Sequence, residues 1–400
     1  MTVCTMLIYS LGTACWGANE SGIDQASVSP DKIDALEWGF KFASAIPVKP
    51  HVVDRGKSQY LILEVYLERD MPDDVAERAS RIVDWRECLS YADLAVYFAR
   101  KNHREKVSYY SERARACSDR LVGWETSWQR DRVLLRVAEA QAIAGQIEAA
   151  EKIEAELPAE SAGQARTLRL GRINGPGDYQ KRINQLKSME NSQYMEVRRD
   201  VAQAYIAILA QLGTDATAEQ SATLQTRVCD VAETLPQLMK HEVLCSLSRA
   251  AFAAGQEEMG RGVLEYAEEH LKRRELKARF DVKALATLAE IWVEGAGDSQ
   301  RAESLLYEAK NLLMKGRLKG TDQVRALIAL AQAYGIYGDQ DAAWDHFRQA
   351  FQVADSQINA RPRAMNLTEI CAAIGQWGVP WPDDMAKEMM PRYEKLVAPW

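Results

Sequence analysis

The spacing of apolar residues between Leu327 and Ala350, in the stretch LIALAQAYGIYGDQDAAWDHFRQA, leaves little choice but two helices folded back on each other. Leu327, Leu330, Ala331 and Tyr334 step by three and four, which gathers them into one stripe; Ala343, Phe347 and Ala350 make a second. Alanines stand where the two helices must approach. Gly338 can take the positive φ that ends the first helix, and the Asp339 side chain can cap the second. If this hairpin belongs to a series, the same offsets should recur elsewhere.

They do recur. From Ala95 the offsets lead to Phe98, Asn102, Val107 and Ala114, and from Ser248 to Ala251, Gly255, Gly260, Leu264 and Ala267. From Ala138 they lead to Gln141, Gly145 and Ala150, before Pro158 cuts the second helix short. From Ala289 they reach Trp292, and one extra loop residue in EGAGDSQ moves the rest to Ala302 and Ala309. This series resembles the tetratricopeptide family, in which a small residue, Tyr, Gly, Ala, an aromatic residue and Ala recur at these spacings, over roughly half of the chain. Ala95 to Ala138 spans 43 residues, Ser248 to Ala289 spans 41 and Ala289 to Ala331 spans 42, against about 34 in a standard unit, so the helices or links are longer. That spacing overlaps the HEAT range, but the HEAT proline and turn signature do not recur. The resemblance implies an all-α fold, an α-solenoid of antiparallel hairpins wound as a right-handed superhelix, whose usual work is binding.

The pattern divides the chain as follows. Residues 1–18 are an apolar segment and 19–29 a polar spacer; Ser29-Pro30 opens a helix to Ile46, which IPVKPHVVDRG breaks. Helical repeats fill 30–157, with pairs at 57–70 and 72–82, 84–101 and 104–119, and 123–144 and 146–157. An irregular segment, 158–190, carries shorter helices around the turn Asn174-Gly175-Pro176-Gly177 and reads as an atypical repeat or a hinge. The second block, 191–400, ends after Gly378-Val379-Pro380-Trp381-Pro382 in a helix over 383–397, expected to cap a last repeat that has no neighbour.

A formal net charge of −7 and a 47 % hydrophobic content describe a chain with ample core and no general attraction to nucleic acid or anionic membrane. No later stretch is long and uncharged enough to span a bilayer. The apolar run from Val3 to Ala18 has the layout of a secretory signal, although no Lys or Arg precedes it, and LGTAC ending at Cys15 loosely resembles a lipoprotein box. The reading is export to the periplasm or beyond. The alternative is a cytoplasmic chain whose apolar arm packs on the first helices. Seven cysteines are scattered without a CxxC pair, as ordinary core residues would be; a single bridge between Cys88 and Cys117 is compatible with their placing on adjacent helices.

Catalytic and cofactor signatures are missing. His51, His103, His241, His270 and His346 share no metal-ligand spacing, NGPG and GAGD are turn chemistry without a preceding strand, and Asp339-x-Asp341 lacks the rest of a calcium loop. No cofactor or metal is implied. Trp377, Trp381 and Trp400 either bury each other or mark a docking site. Two basic runs, one from Arg166 to Lys187 and one from Lys272 to Lys283, could meet an acidic partner or offset helix dipoles. In the family's curvature the first helices line the concave groove, which assigns partner contact to Arg132, Glu139, Glu242, Arg249, Lys283, Glu290, Arg325 and Gln332. Mixed charge there suits a protein or peptide segment rather than nucleic acid. The expectation is a non-catalytic interaction scaffold; its rivals are an all-α toroidal carbohydrate-active enzyme and a structural subunit of a larger assembly.

Overall fold

A computed structural model describes residues 34–121, 123, 126–173, 177–273, 275–397 and 399–400. The signal-like segment, the polar spacer, the Ser29-Pro30 helix start, Cys4, Cys15, Trp124, Arg274 and the turn at Asn174 to Pro176 lie outside those residues. The described chain is helical, with no strand. Its elements are α1 (Ala35–Ala45), α2 (Val48–Glu68), α3 (Pro72–Ala79), α4 (Arg86–Arg100), α5 (Arg104–Ser118), α6 (Ser127–Ile143) and α7 (Ile147–Glu156). The middle of the chain gives α8 (Ala159–Leu170), α9 (Asp178–Lys187), α10 (Met195–Leu212), α11 (Ala218–Glu233), α12 (Gln237–Ala253) and α13 (Glu257–Lys272). The last third gives α14 (Ala278–Glu294), α15 (Ser299–Gly316), α16 (Gly320–Tyr337), α17 (Gln340–Asp355), α18 (Ala360–Trp377), α19 (Asp383–Lys387) and α20 (Met389–Glu394).

Local chemistry sets these bounds. Gly338 ends α16 at φ 97, a left-handed value that only glycine adopts without strain, and the Asp339 side chain accepts the Ala342 amide at 2.9 Å to open α17. Asn102 and Gly145 hold the same left-handed position in the turns after α4 and α6. In α12 the small anchor is Ser248, whose hydroxyl donates to the Gly260 carbonyl of α13 at 2.9 Å. A side chain at Gly260 would run into the Phe252 ring, so these two helices approach closely because both positions are small. The anchors Ala95, Ala138, Ala289 and Ala331 are likewise buried. The expected break after Ile46 is a kink inside α2, non-helical at Lys49 and His51.

Pairing follows one rule along the chain. The even-numbered helices from α2 to α18 each pack against the next even-numbered helix, and each odd-numbered helix from α3 to α17 lies outside, wedged between the two that flank it in sequence. The rule does not stop at α18. That helix packs against α2, and α1 occupies the outer position between them, so the inner row returns on itself. The described residues thus form a ring of nine inner helices, and its last hairpin is assembled from the two ends of the chain.

The expectation that the last repeat lacks a neighbour is therefore corrected: α18 is covered by α1 on one side and α2 on the other. At this seam Leu36 and Phe42 of α1, and Ile46 just past its end, are fully buried against Leu367, Ile370 and Cys371 of α18 and Ile62 of α2. Gly39 permits the approach, since a Cβ there would strike Ile62 and Cys371, and Gly375 does the same for Leu36. Polar bonds span the junction. Arg69 donates to the Gly375 carbonyl at 2.8 Å, Arg361 pairs with Asp54 at 3.2 Å, and Arg55 donates to the carbonyls of Ser44 and Ile46 at the end of α1. The expected cap helix over 383–397 is instead two short helices, α19 and α20, laid over the outside of the seam. Tyr393 meets Trp38 and Phe42, while Trp381 stacks on Phe351 and Trp377 meets Trp344 and Phe347. Trp377, Trp381 and Trp400 are half-buried and packed against the core there.

Cys88 of α4 and Cys117 of α5 form a disulfide, and Cys245 and Cys371 are free and buried. The expectation of ordinary core cysteines throughout is thus corrected at that one pair. The segment 158–190 holds α8 and α9. The outer helices on either side of α8, α7 and α9, are 10 residues each, against 16 to 18 for α11, α13, α15 and α17.

Candidate functional site

The even-numbered helices carry a set of ionisable groups that meet between neighbouring inner helices. Numbered from the small anchor of each helix, positions six before and one after face their equivalents on the next inner helix. Arg249 of α12 reaches Glu290 of α14 at 3.2 Å, and Arg325 of α16 forms a two-pronged pair with Glu369 of α18 at 2.7 and 2.9 Å. Gln332 of α16 donates to Gln376 of α18 at 2.9 Å, and Gln376 donates to Glu68 of α2 at 3.0 Å, which carries the ladder across the seam. Glu242 and Lys283 face each other between α12 and α14, the lysine charge acting to lower the carboxyl against its burial.

All eight residues assigned to the groove by sequence stand on inner helices: Arg132 and Glu139 on α6, Glu242 and Arg249 on α12, Lys283 and Glu290 on α14, Arg325 and Gln332 on α16. The structure joins Arg249 to Glu290 and sets Glu242 beside Lys283, while Glu139, Arg325 and Gln332 meet residues that sequence reasoning missed. Those are Tyr60, Glu64 and Glu68 on α2, Asp93 and Arg100 on α4, Arg136 on α6, Glu369 and Gln376 on α18, and Arg172 just past α8. The Ala95 register holds at the turn, where Asn102 takes the left-handed position, but the charged inner residues of α4 stand elsewhere on that helix: Asp93 is two before the anchor and Arg100 five after. In α2 the anchor position is Leu67, so no small residue marks it.

The densest part of the inner face lies between α2, α4 and α6. Asp93 accepts from the Tyr60 hydroxyl at 2.6 Å and from Arg136 Nε at 2.6 Å, Arg136 also bonds Glu139, and Arg100 stands 3.6 Å from the other Glu139 oxygen. Burial pushes the Glu64 carboxyl up to about 8, with the Asp93 and Glu68 carboxyls adding to the shift. Burial takes Glu68 to about 7 and, on the far side of the ring, Glu290 to about 7 although Arg249 opposes it. Glu139 behaves in the opposite way. Burial acts to raise it, but Arg136 and Arg100 together outweigh that and hold it below the usual carboxylate range. Arg100 and Arg172 are lowered by burial.

Several of these side chains keep contact with solvent although protein surrounds them: Arg325 is 44 % exposed, Arg249 40 % and Arg100 39 %. A concave wall produces that combination. Among the described residues no group of His, Cys, Asp and Glu is arranged to hold a metal ion. No helix of the described residues is long and apolar enough to cross a membrane.

Part of each basic run is answered by carboxylates, although Arg172 of the first run is not. Arg166 and Arg169 pair with Glu154, and Arg169 also with Glu151, around a cleft of about 720 Å³ between α7, α8 and α9. In the second run Lys272 bridges Glu268 and Glu308, Arg273 pairs with Glu269, and Arg279 pairs with Asp322. Compared with protein-family models, with curated proteins and with solved structures, the chain matches none.

Proposed function

We propose that the protein is a non-catalytic interaction scaffold of tetratricopeptide-like hairpins, bent from an open solenoid into a ring, that holds a peptide or protein segment against its inner face. The observation that carries this reading is the ladder of paired ionisable groups at equivalent positions on successive inner helices, partly open to solvent on a concave wall. A rigid wall of this kind presents polar partners without first having to order itself, which spares the binding event an entropic cost. A segment entering the ring exchanges its own charges for one side of each pair.

Capture from a lysate of the native host, followed by mass spectrometry, tests the reading. Arg249→Glu with Arg325→Glu should abolish capture, because each reversal sets two carboxylates against each other, while helicity by circular dichroism stays unchanged. Undiminished capture by the double variant would reject it. Export is the matching localisation: the Cys88–Cys117 bridge belongs in an oxidising compartment. The intact mass of protein from its native host tests this, and a reduced, unprocessed chain would count against it.

A second reading, an all-α toroidal enzyme acting on carbohydrate, is favoured by one feature. Glu64, raised to about 8, and Asp93 both neighbour the Tyr60 hydroxyl, and a protonated carboxyl beside a second carboxyl is what glycoside cleavage requires. Release of reducing sugar from a panel of polysaccharides, lost in Glu64→Gln, would establish it in place of the scaffold.

A further inference from the structure

On the inner face, cations are answered by carboxylates of their own. Arg249 has Glu290, Arg325 has Glu369 and Arg361 has Asp54. Arg172, in the turn that follows α8, departs from this pattern. It makes no hydrogen bond or ion pair with the described residues, although it is partly buried, and the groups acting on its charge are Glu139, which favours it, and Arg100, which opposes it. Glu139 is already engaged, since it accepts from Arg136 and faces Arg100 at 3.6 Å. Within this cluster three guanidinium groups, Arg100, Arg136 and Arg172, face two carboxylates, Asp93 and Glu139. Glu64 does not redress the balance: with its carboxyl pushed up to about 8 it is mostly protonated at neutral pH.

A guanidinium withdrawn from water without a counter-ion is costly, and its planar fork matches an oxyanion in a two-pronged geometry. The surplus is a single positive charge, which a carboxylate meets and a doubly charged phosphate exceeds. We propose that the ends of α4 and α8, through Arg100 and Arg172 around Glu139, form the anchoring site for a carboxylate of an acidic peptide segment held inside the ring. The proposal deepens the scaffold reading and rests on it. Carboxylate entry completes the pairing of Arg172 as Glu290 completes that of Arg249. The hydroxyl of a protonated Glu64 lies in the same cluster and does not repel the incoming charge.

Fluorescence anisotropy with labelled hexaglutamate, at low ionic strength where charge pairs are least screened, tests it on the full chain. Hexaglutamate should bind, hexalysine should not, and Arg172→Ala should weaken binding about tenfold or more, the loss of a charge-assisted bond. Arg166→Ala, on α8 itself and facing the outer cleft, serves as the control and should bind as the parent does. Arg172 has no bonds to lose in the free protein, so an unchanged melting temperature shows that the variant folds. Absence of hexaglutamate binding, or equal binding by Arg172→Ala, overturns the proposal; so does displacement of the peptide by inorganic phosphate at equal charge concentration. If hexaglutamate fails while partner capture still depends on Arg249 and Arg325, the anchoring site falls and the scaffold reading stands. If hexaglutamate binds through Arg172 and no partner is captured, the site stands and the scaffold reading falls.

Discussion

Two sectors of the ring hold an outer helix between two inner ones and do so differently. At the seam, α1 lies between α18 and α2 with Leu36, Phe42 and Ile46 fully buried, two glycines allowing close approach, and a further layer, α19 and α20, laid on top. On the other side, α9 lies between α8 and α10 with Ile183 and Leu186 buried, and a cleft lined by charged pairs stands open beside it. Both outer helices are short, at 11 and 10 residues. The seam makes up for that length with aromatic volume and the added layer, whereas the α9 sector leaves the space to water and ion pairs. Helix length alone therefore does not decide how firmly a sector is held; what fills the space beside the helix does.

Removing α1 should break the comparison outright. Each buried Leu, Ile or Phe contributes about 1.5–3 kcal/mol, so losing three of them from α1 approaches the whole stability of an ordinary domain. Small-angle scattering should show the closed particle replaced by an extended or aggregated one; an unchanged envelope would mean that the α18–α2 contact suffices. Next in size is Phe42→Ala, expected to cost about 3–5 kcal/mol in urea unfolding, against about 2 for Leu186→Ala in the α9 sector, where the open cleft lets the site relax. Equal losses would remove the distinction between the sectors. Between them in sequence lies the covalent tie of α4 to α5. Reducing Cys88–Cys117, which are separated by 29 residues, should lower stability by about 3 kcal/mol, read by the urea midpoint with and without reductant.

A further effect concerns pH. Glu64 titrates near 4.5 when unfolded and near 8 when folded, so the folded state holds its proton more tightly. Its contribution is fully present below about pH 4.5 and is lost as pH rises through 8. Glu64→Gln, which cannot ionise, should therefore melt at the parent's temperature at pH 4.5 and above it at pH 9. A variant that melts lower at pH 9 would contradict the assigned environment.

Much of this architecture could be read in the amino-acid order, and the exceptions have physical causes. Helix bounds followed the stripes and turns closely, as at Gly338 and Asp339, because those signals act within one or two turns of chain. Closure did not show, since it depends on a small angle accumulated over many hairpins and on α1 taking a position that its own neighbours in sequence do not announce. Asn102 fixes Ala95 as the anchor of α4, yet Asp93 and Arg100 lie two before and five after it, offsets that the other hairpins do not announce. The first and last inner helices carry Leu67 and Gly375 at the anchor, so half of the densest inner cluster had no marker. The disulfide was legible only as a pair of cysteines on adjacent helices, with nothing in the spacing to require it.

The shared last hairpin also has a consequence for the order of synthesis. Among the described helices α1 emerges first, yet the surface that receives Leu36 and Phe42 is completed by α18, one of the last to be made. Through most of translation an aromatic face must wait without its partner, exposed to the cell's aggregation hazards, and no internal segment can finish the ring early. A chain that stops short of α18 leaves that face uncovered, so closure of the ring reports that synthesis has passed α18.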